Sequence, residues 1–255
     1  TPYSQIYITY PPLYPLFLTL AWKLWPTLEG LRLATVFYTF PTVIATALIA
    51  RRIHNNIAGL FAGLLLITAP QFIRDSRAIL GELPSVMWSV VAVWLALVYR
   101  DNGRRLLLLL SGAALSCSLL TMLLSPFMVP LLAFILLSRY FHSAVPTELH
   151  RLWTKNRGKV LLDLFLWGMA LVLPIVLAFL LAGLQPMVKS VAAQRLAARE
   201  VYANDPKYWL DRLEYVEIFL ADNHLLILLA ICGLFTTLIR RAPHRVVLLM
   251  WLFMA

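Results

Sequence analysis

The sequence predicts an all-α, polytopic membrane protein, with residues 1–255 forming one transmembrane domain. Three observations carry that expectation. Apolar residues make up 61% of the chain and charged residues only 13%, whereas a soluble domain is about half apolar and about a quarter charged. The apolar residues gather into runs near the length a helix needs to cross the hydrocarbon core, about 20 residues. The charges between those runs alternate in sign bias from one connection to the next, as in a chain threaded back and forth across a bilayer.

The runs are 32–50, 56–73, 83–99, 106–123, 126–139, 160–183 and 224–239, with another starting at 246. The stretch 106–139 is too long for one crossing, and Pro126 and Pro130 interrupt it. It reads as two helices in a tight hairpin turning near Ser125-Pro126. Asn55-Asn56 and Asp222-Asn223 precede apolar runs, where their side chains can accept from the first free N–H groups. The "DNG" at 101–103 is a turn signal.

Connections 51–52, 100–105, 139–159 and 240–245 carry net charges of +2, +2, +4 and +3. The alternate ones, 74–82, 124–126 and 185–223, carry 0, 0 and −1. The positive-inside rule assigns the first set to the cytoplasm and the second to the outside. The net charge of +10 is then topology, and nucleic acid is not expected as a partner. The expected location is a bacterial inner (plasma) membrane crossed several times, with membrane lipids as the surroundings.

The N-terminal "YPPLYPLFLTLAWKLWP", 10–26, has only a short proline-free run, roughly 15 Å as helix. That cannot cross about 30 Å of hydrocarbon. Trp22, Trp25 and the tyrosines suit the headgroup boundary, so a short interfacial helix in the outer leaflet is expected. In the outer connection 185–223, Trp209, Leu213, Val216 and Leu220 recur at helical spacing, which predicts an amphipathic helix on the membrane or roofing a cavity. The histidines are scattered at loops and edges. Cys117 and Cys232 sit in apolar runs and read as small core residues, with neither a disulfide nor a metal site expected. The chain starts at Thr1 and stops within an apolar run, so it reads as a segment of a longer protein.

One connection departs from the apolar pattern. "QFIRDSRAILGELPSVMW", 71–88, holds Arg74, Asp75, Arg77 and Glu82 within nine positions. A salt-bridged turn would account for them and would contribute at most about 1 kcal/mol. The functional alternative is a polar site at the outer face. Arginines there can hold phosphate by forked hydrogen bonds, and a carboxylate can orient a substrate or accept a proton. Phosphate chemistry beside lipid suggests a phospholipid-like or polyprenyl-phosphate substrate.

These residues, with "YPPLYPLFLTLAWKLW" and "LRLATVFYTFPTVIATALIARRIHNNIAGLFAGLLLITAPQFIRDSRAILGELPSVMW", give the chain a resemblance to the N-terminal half of GT-C glycosyltransferases. The nearest branch is the protein-mannosyltransferase and aminoarabinose-transferase-like group of bacterial membrane proteins. The matching elements are Pro11, Pro12 and Leu13; Arg32 and Leu33; Arg51 and Arg52; Ala69 and Pro70; Arg77; and Glu82 with Pro84. The resemblance covers 8–100 best and is faint beyond 183. It implies a GT-C-like helix bundle and transfer of a sugar from a polyprenyl-phosphate-linked donor to a lipid, glycan or protein acceptor, without a cofactor, on the outer side. Glu82 is similar to the family's second acidic site, and Arg77, Arg74, Asp75, Tyr10, Pro11, Pro12 and Tyr14 become the candidate substrate-binding residues. The family's main catalytic acid precedes the PPL stretch and is expected outside this sequence. Two departures stand out: Tyr10 occupies a position where aminoarabinose transferases carry lysine, and Thr121-Met122 replaces the Thr-Lys of many members. Both remove a cation, which leaves Arg77 as the main phosphate ligand.

Two other readings compete. A flippase or transporter of a lipid-linked sugar would carry ionisable groups at mid-membrane depth, and this chain has almost none, Asp163 lying near a cytoplasmic end. A non-catalytic membrane subunit would lack the acid upstream.

Overall fold

The computed structural model describes residues 11–122, 128–141 and 149–182. Among them, all regular structure is helical. Three helices, Leu28–Ile53, Glu82–Asn102 and Arg157–Ala178, are long and apolar enough to cross a membrane, and a fourth crossing is available to a bent pair. The expected runs at 224–239 and from 246, the outer connection 185–223 and its amphipathic stretch lie outside the described residues, as do Cys232 and Tyr10.

Helix α1, Leu13–Leu24, has 12 residues, roughly 18 Å of length. The N-terminal segment therefore forms the short helix expected of it. Helices α2, Leu28–Val36, and α3, Thr39–Ile53, follow. They belong to one 26-residue apolar span, with a step at Phe37-Tyr38. The backbone stays bonded across the step, from Phe37 N to Leu33 O and from Tyr38 N to Thr35 O. Three threonines bond back to carbonyls three or four residues earlier: Thr35 to Leu31 O, Thr39 to Val36 O and Thr42 to Tyr38 O. Hydroxyls used in this way commonly accompany helix bends. The Thr27 hydroxyl accepts from Gly30 N at the start of α2, and the Asn55 carbonyl accepts from Ala58 N at the start of α4, as its position before the apolar run predicts.

Helix α4 is Asn56–Thr68 and α5 is Pro70–Arg77, and their axes differ by 61°. The continuous span expected at 56–73 is therefore corrected to two pieces. Pro70 has no N–H and its ring excludes Ala69 from the helical region. Ala69 accordingly adopts an extended conformation, with φ −66° and ψ 121°. The charged connection expected at 74–82 is in part the second turn of α5.

Helix α6, Glu82–Asn102, has 21 residues, about 31 Å at 1.5 Å per residue, and matches the hydrocarbon thickness. It ends on Gly103, whose φ of 70° gives the left-handed cap, and its N–H bonds Tyr99 O at 2.7 Å. Helix α7 is Arg105–Thr121, α8 is Met128–Phe141 and α9 is Leu149–Ala182. The 34 residues of α9 reach about 51 Å, so much of the basic connection expected at 139–159 is helix.

The core forms where α6, α7, α9 and α8 close a ring in that order, α6 on α7, α7 on α9, α9 on α8 and α8 on α6. The hairpin expected between α7 and α8 is thereby modified. Consecutive in sequence, they stand diagonally across the ring, and α8 packs on α6 and α9 instead. Ala92, Ala96, Leu108, Leu115, Leu131 and Ile135 are fully enclosed there. Helix α3 packs on the outside of α6, and α4 on α3. Phe40, Leu60, Phe61, Leu64, Phe165 and Leu177 are exposed. An outward face of large apolar side chains around a core with small and hydroxylated ones is the arrangement lipid permits.

Serines tie α6 to α7. The Ser118 hydroxyl lies 3.0 Å from that of Ser85 and 2.8 Å from that of Ser89, and it donates to Ser85 O at 2.8 Å. Further along, the Ser111 hydroxyl donates to Ala92 O at 2.9 Å. Small side chains let the two backbones approach, and the hydroxyls then find partners on the facing helix.

Candidate functional site

The sequence-predicted site lies where α5 meets the start of α6. Pro70 is the first residue of α5, where a missing N–H costs nothing. Next to it, Gln71 donates to both carboxylate oxygens of Asp75, one turn further on, at 2.9 Å each. Arg74 donates to the Gln71 carbonyl and comes within 4.0 Å of Asp75. The expected Arg74–Asp75 pair is therefore present, but Gln71 bridges it. The sequence reading passed over Gln71, although its spacing of four from Asp75 is a signal for such a bond. Arg77, the last residue of α5, is exposed and makes no hydrogen bond or ion pair among the described residues.

Glu82 opens α6, where the unpaired N–H groups of a first turn favour a carboxylate. It is half-buried, and its Oε2 is enclosed without a hydrogen-bond partner among the described residues. Four residues separate it from Arg77, so the connection between the two helices holds an uncommitted cation and an incompletely bonded acid.

Pro11 is buried and Pro12 caps α1. Tyr14 is only 3% exposed. It borders Tyr38, as does Cys117, and Phe17 meets the Tyr38 ring edge-on at 4.9 Å. Helix α1 packs chiefly on α2 and α7, α2 on α5, and α5 on α6. The short helices thus build one layer at this end of the bundle. Tyr14, Pro11 and Pro12 belong to that layer through α2, and the polar side chains of α5 are one helix away.

The opposite end of the bundle holds a second polar centre, which the sequence reading did not single out. Asp163 of α9 is buried at 7% exposure. It accepts from the hydroxyls of Tyr99 on α6 and Tyr140 on α8, and from Arg105 Nε on α7 at 3.3 Å. One carboxylate therefore joins all four helices of the ring. Arg139 donates to Tyr99 O, which also accepts from Gly103 N, and to Arg100 O, at 2.9 and 2.8 Å, so it adds donors to the carbonyls that end α6, and its guanidinium lies 5.2 Å from the centre of the Tyr99 ring. Asp101 is held between Arg52 at 2.6 Å and Arg100 at 2.9 Å. A cavity of about 640 Å³ opens among these residues, bordered also by Lys159. The available signal was Asp163 itself, a lone carboxylate in an apolar run.

Among the described residues, no group of three or more His, Cys, Asp or Glu could hold a metal ion. Comparison with family models, characterised proteins and solved structures finds no match to this chain.

Proposed function

We propose that this chain is part of a membrane glycosyltransferase that moves a sugar from a polyprenyl-phosphate-linked donor to an acceptor at the outer membrane surface. One observation carries the reading: an exposed arginine and a half-buried, incompletely bonded carboxylate share a short connection at the end of an apolar bundle. The resemblance of residues 8–100 to GT-C enzymes supports it, as does the charge asymmetry of the loops.

In such a transfer the acceptor's nucleophilic atom forms a bond to the anomeric carbon and gives its proton to a carboxylate base, the main catalytic acid that the GT-C resemblance implies. The bond from that carbon to the phosphate oxygen breaks, and the lipid phosphate leaves with the electron pair. Arg77, with Arg74 beside it, meets the charge that grows on the leaving phosphate. Glu82 orients the incoming group through Oε2, which has no hydrogen-bond partner among the described residues. The apolar surroundings keep water from the reacting carbon.

The test uses membranes containing the intact protein and a labelled polyprenyl-phosphate sugar. Arg77→Ala and Glu82→Gln are each expected to slow release of polyprenyl phosphate by about tenfold or more, the effect of losing one charged hydrogen bond. Transfer at the unaltered rate in both variants would remove the assignment. A flippase or a non-catalytic subunit predicts no release at all. The orientation has its own check. In a background with Cys117 and Cys232 replaced by Ala, Leu80→Cys is expected to react with a membrane-impermeant thiol reagent in whole cells. Labelling only after lysis would place the connection on the wrong side for a lipid-linked donor.

A further inference from the structure

We propose that the cavity at the Asp163 end of the bundle binds the phosphate of an anionic ligand at the membrane–water boundary. Its walls are the ends of apolar helices: the last turn of α6, the first residue of α7, the last turn of α8 and the Lys159–Asp163 turn of α9. Such a position lies level with headgroups, whichever face of the membrane this end meets.

Charge selects the ligand. Four cations, Arg100, Arg105, Arg139 and Lys159, border the cavity against two acids, Asp101 and Asp163. Both acids are already occupied, Asp101 by Arg52 and Arg100, and Asp163 by two tyrosine hydroxyls and Arg105. Among the described residues, the excess charge therefore has no further lining acid to meet.

Donors remain available. Arg105 bonds Asp163 through Nε, and its side chain is 55% exposed, so its outer guanidinium edge faces the opening. Lys159 is exposed and makes no hydrogen bond or ion pair among the described residues. A guanidinium fork beside a mobile ammonium suits a phosphate, whose several oxygens accept from both at once. A basic pocket between helix ends is a recurring form of headgroup site. A volume of about 640 Å³ holds a phosphate with the first atoms attached to it. The phosphate can come from a lipid headgroup or from solution, and these sources are separable.

The experiment measures binding to the purified full-length protein in detergent. The probes are short-chain phosphatidic acid, the matched diacylglycerol, and inorganic phosphate against chloride at equal ionic strength. Phosphatidic acid is expected to bind and diacylglycerol not to. Lys159→Gln is expected to weaken phosphatidic acid about tenfold, the loss of one charged hydrogen bond. Lys159→Arg is expected to retain binding and Lys159→Glu to abolish it. Because Lys159 has no partner among the described residues, the ligand-free unfolding temperature is expected to stay unchanged in all three. Inorganic phosphate binding with the same Lys159→Gln loss assigns a soluble source, and phosphatidic acid binding alone assigns a lipid. Equal binding of phosphatidic acid and diacylglycerol, or wild-type affinity in both Lys159→Gln and Lys159→Glu, overturns the proposal.

Discussion

Replacing Asp163 by alanine is expected to lower stability by about 4 kcal/mol, which multiplies the unfolded fraction by several hundred. Neutral hydrogen bonds between helices in membranes average about 0.6 kcal/mol, and a charged acceptor roughly doubles that. Asp163 accepts from two tyrosine hydroxyls. Without it the Tyr99 hydroxyl, on a side chain 1% exposed, has lost its acceptor, and an enclosed unpaired hydroxyl costs a further 1–3 kcal/mol or so. Arg105 adds little, because its side chain is 55% exposed and solvent screens the pair. Asp163→Asn keeps one acceptor oxygen and is expected to cost about half as much. The measurement is unfolding in detergent by heat or denaturant. A loss below about 1 kcal/mol for the alanine variant would mean that the four helices hold their ring without this junction. A double-mutant cycle pairing Tyr99→Phe with Asp163→Asn is expected to give a coupling above about 0.5 kcal/mol, as residues in one network do.

The second large effect is expected at Gly112. A Cβ there would lie 2.7 Å from Trp167 O, 3.0 Å from Ala170 Cβ and 3.2 Å from Leu171 N. Two of those neighbours are backbone atoms of α9 and cannot rotate away. Gly112→Ala therefore pushes α7 and α9 apart, at about 1–3 kcal/mol, and Gly112→Val is expected to exceed 3 kcal/mol or to prevent assembly. Gly168 supplies the contrast from α9 itself. No atom lies within 4 Å of a Cβ built there, so Gly168→Ala is expected to be neutral, or to stabilise by up to about 1 kcal/mol through helix propensity. Equal unfolding temperatures for Gly112→Val and Gly168→Ala would show that α7 and α9 do not approach as described.

The candidate sites were legible to different degrees. Arg74, Asp75, Arg77 and Glu82 announced themselves as charges in an apolar chain, and two of them do pair. What the sequence reading lacked was Gln71, a neutral residue that bonds both carboxylate oxygens of Asp75, while Arg77 is uncommitted among the described residues. The Asp163 centre was less visible. Its partners lie 23, 58 and 64 positions away, and two of them are tyrosines near helix ends, where an interfacial reading is equally natural. Nothing in the spacing of Tyr99, Arg105, Tyr140 and Asp163 brings them together before the helices are packed.

Among the described residues, the sequence by itself determined where most of the helices lie and several of their ends. Hydrophobic runs mark the spans because an apolar side chain prefers lipid wherever on the helix it points. Asn55, Gly103 and Pro70 act on the backbone within a turn of themselves, by capping, by tolerating positive φ and by withholding an N–H. Those effects are local, so they can be read in one dimension. Tertiary structure alone decided the order of the ring, the diagonal placement of α7 and α8, and which glycine touches a neighbour. The physical reason is that lipid is as apolar as leucine, so an inward face need not differ in hydropathy from an outward one. Gly112 and Gly168 are both glycines within apolar helices, and only the approach of a second backbone makes one of them indispensable.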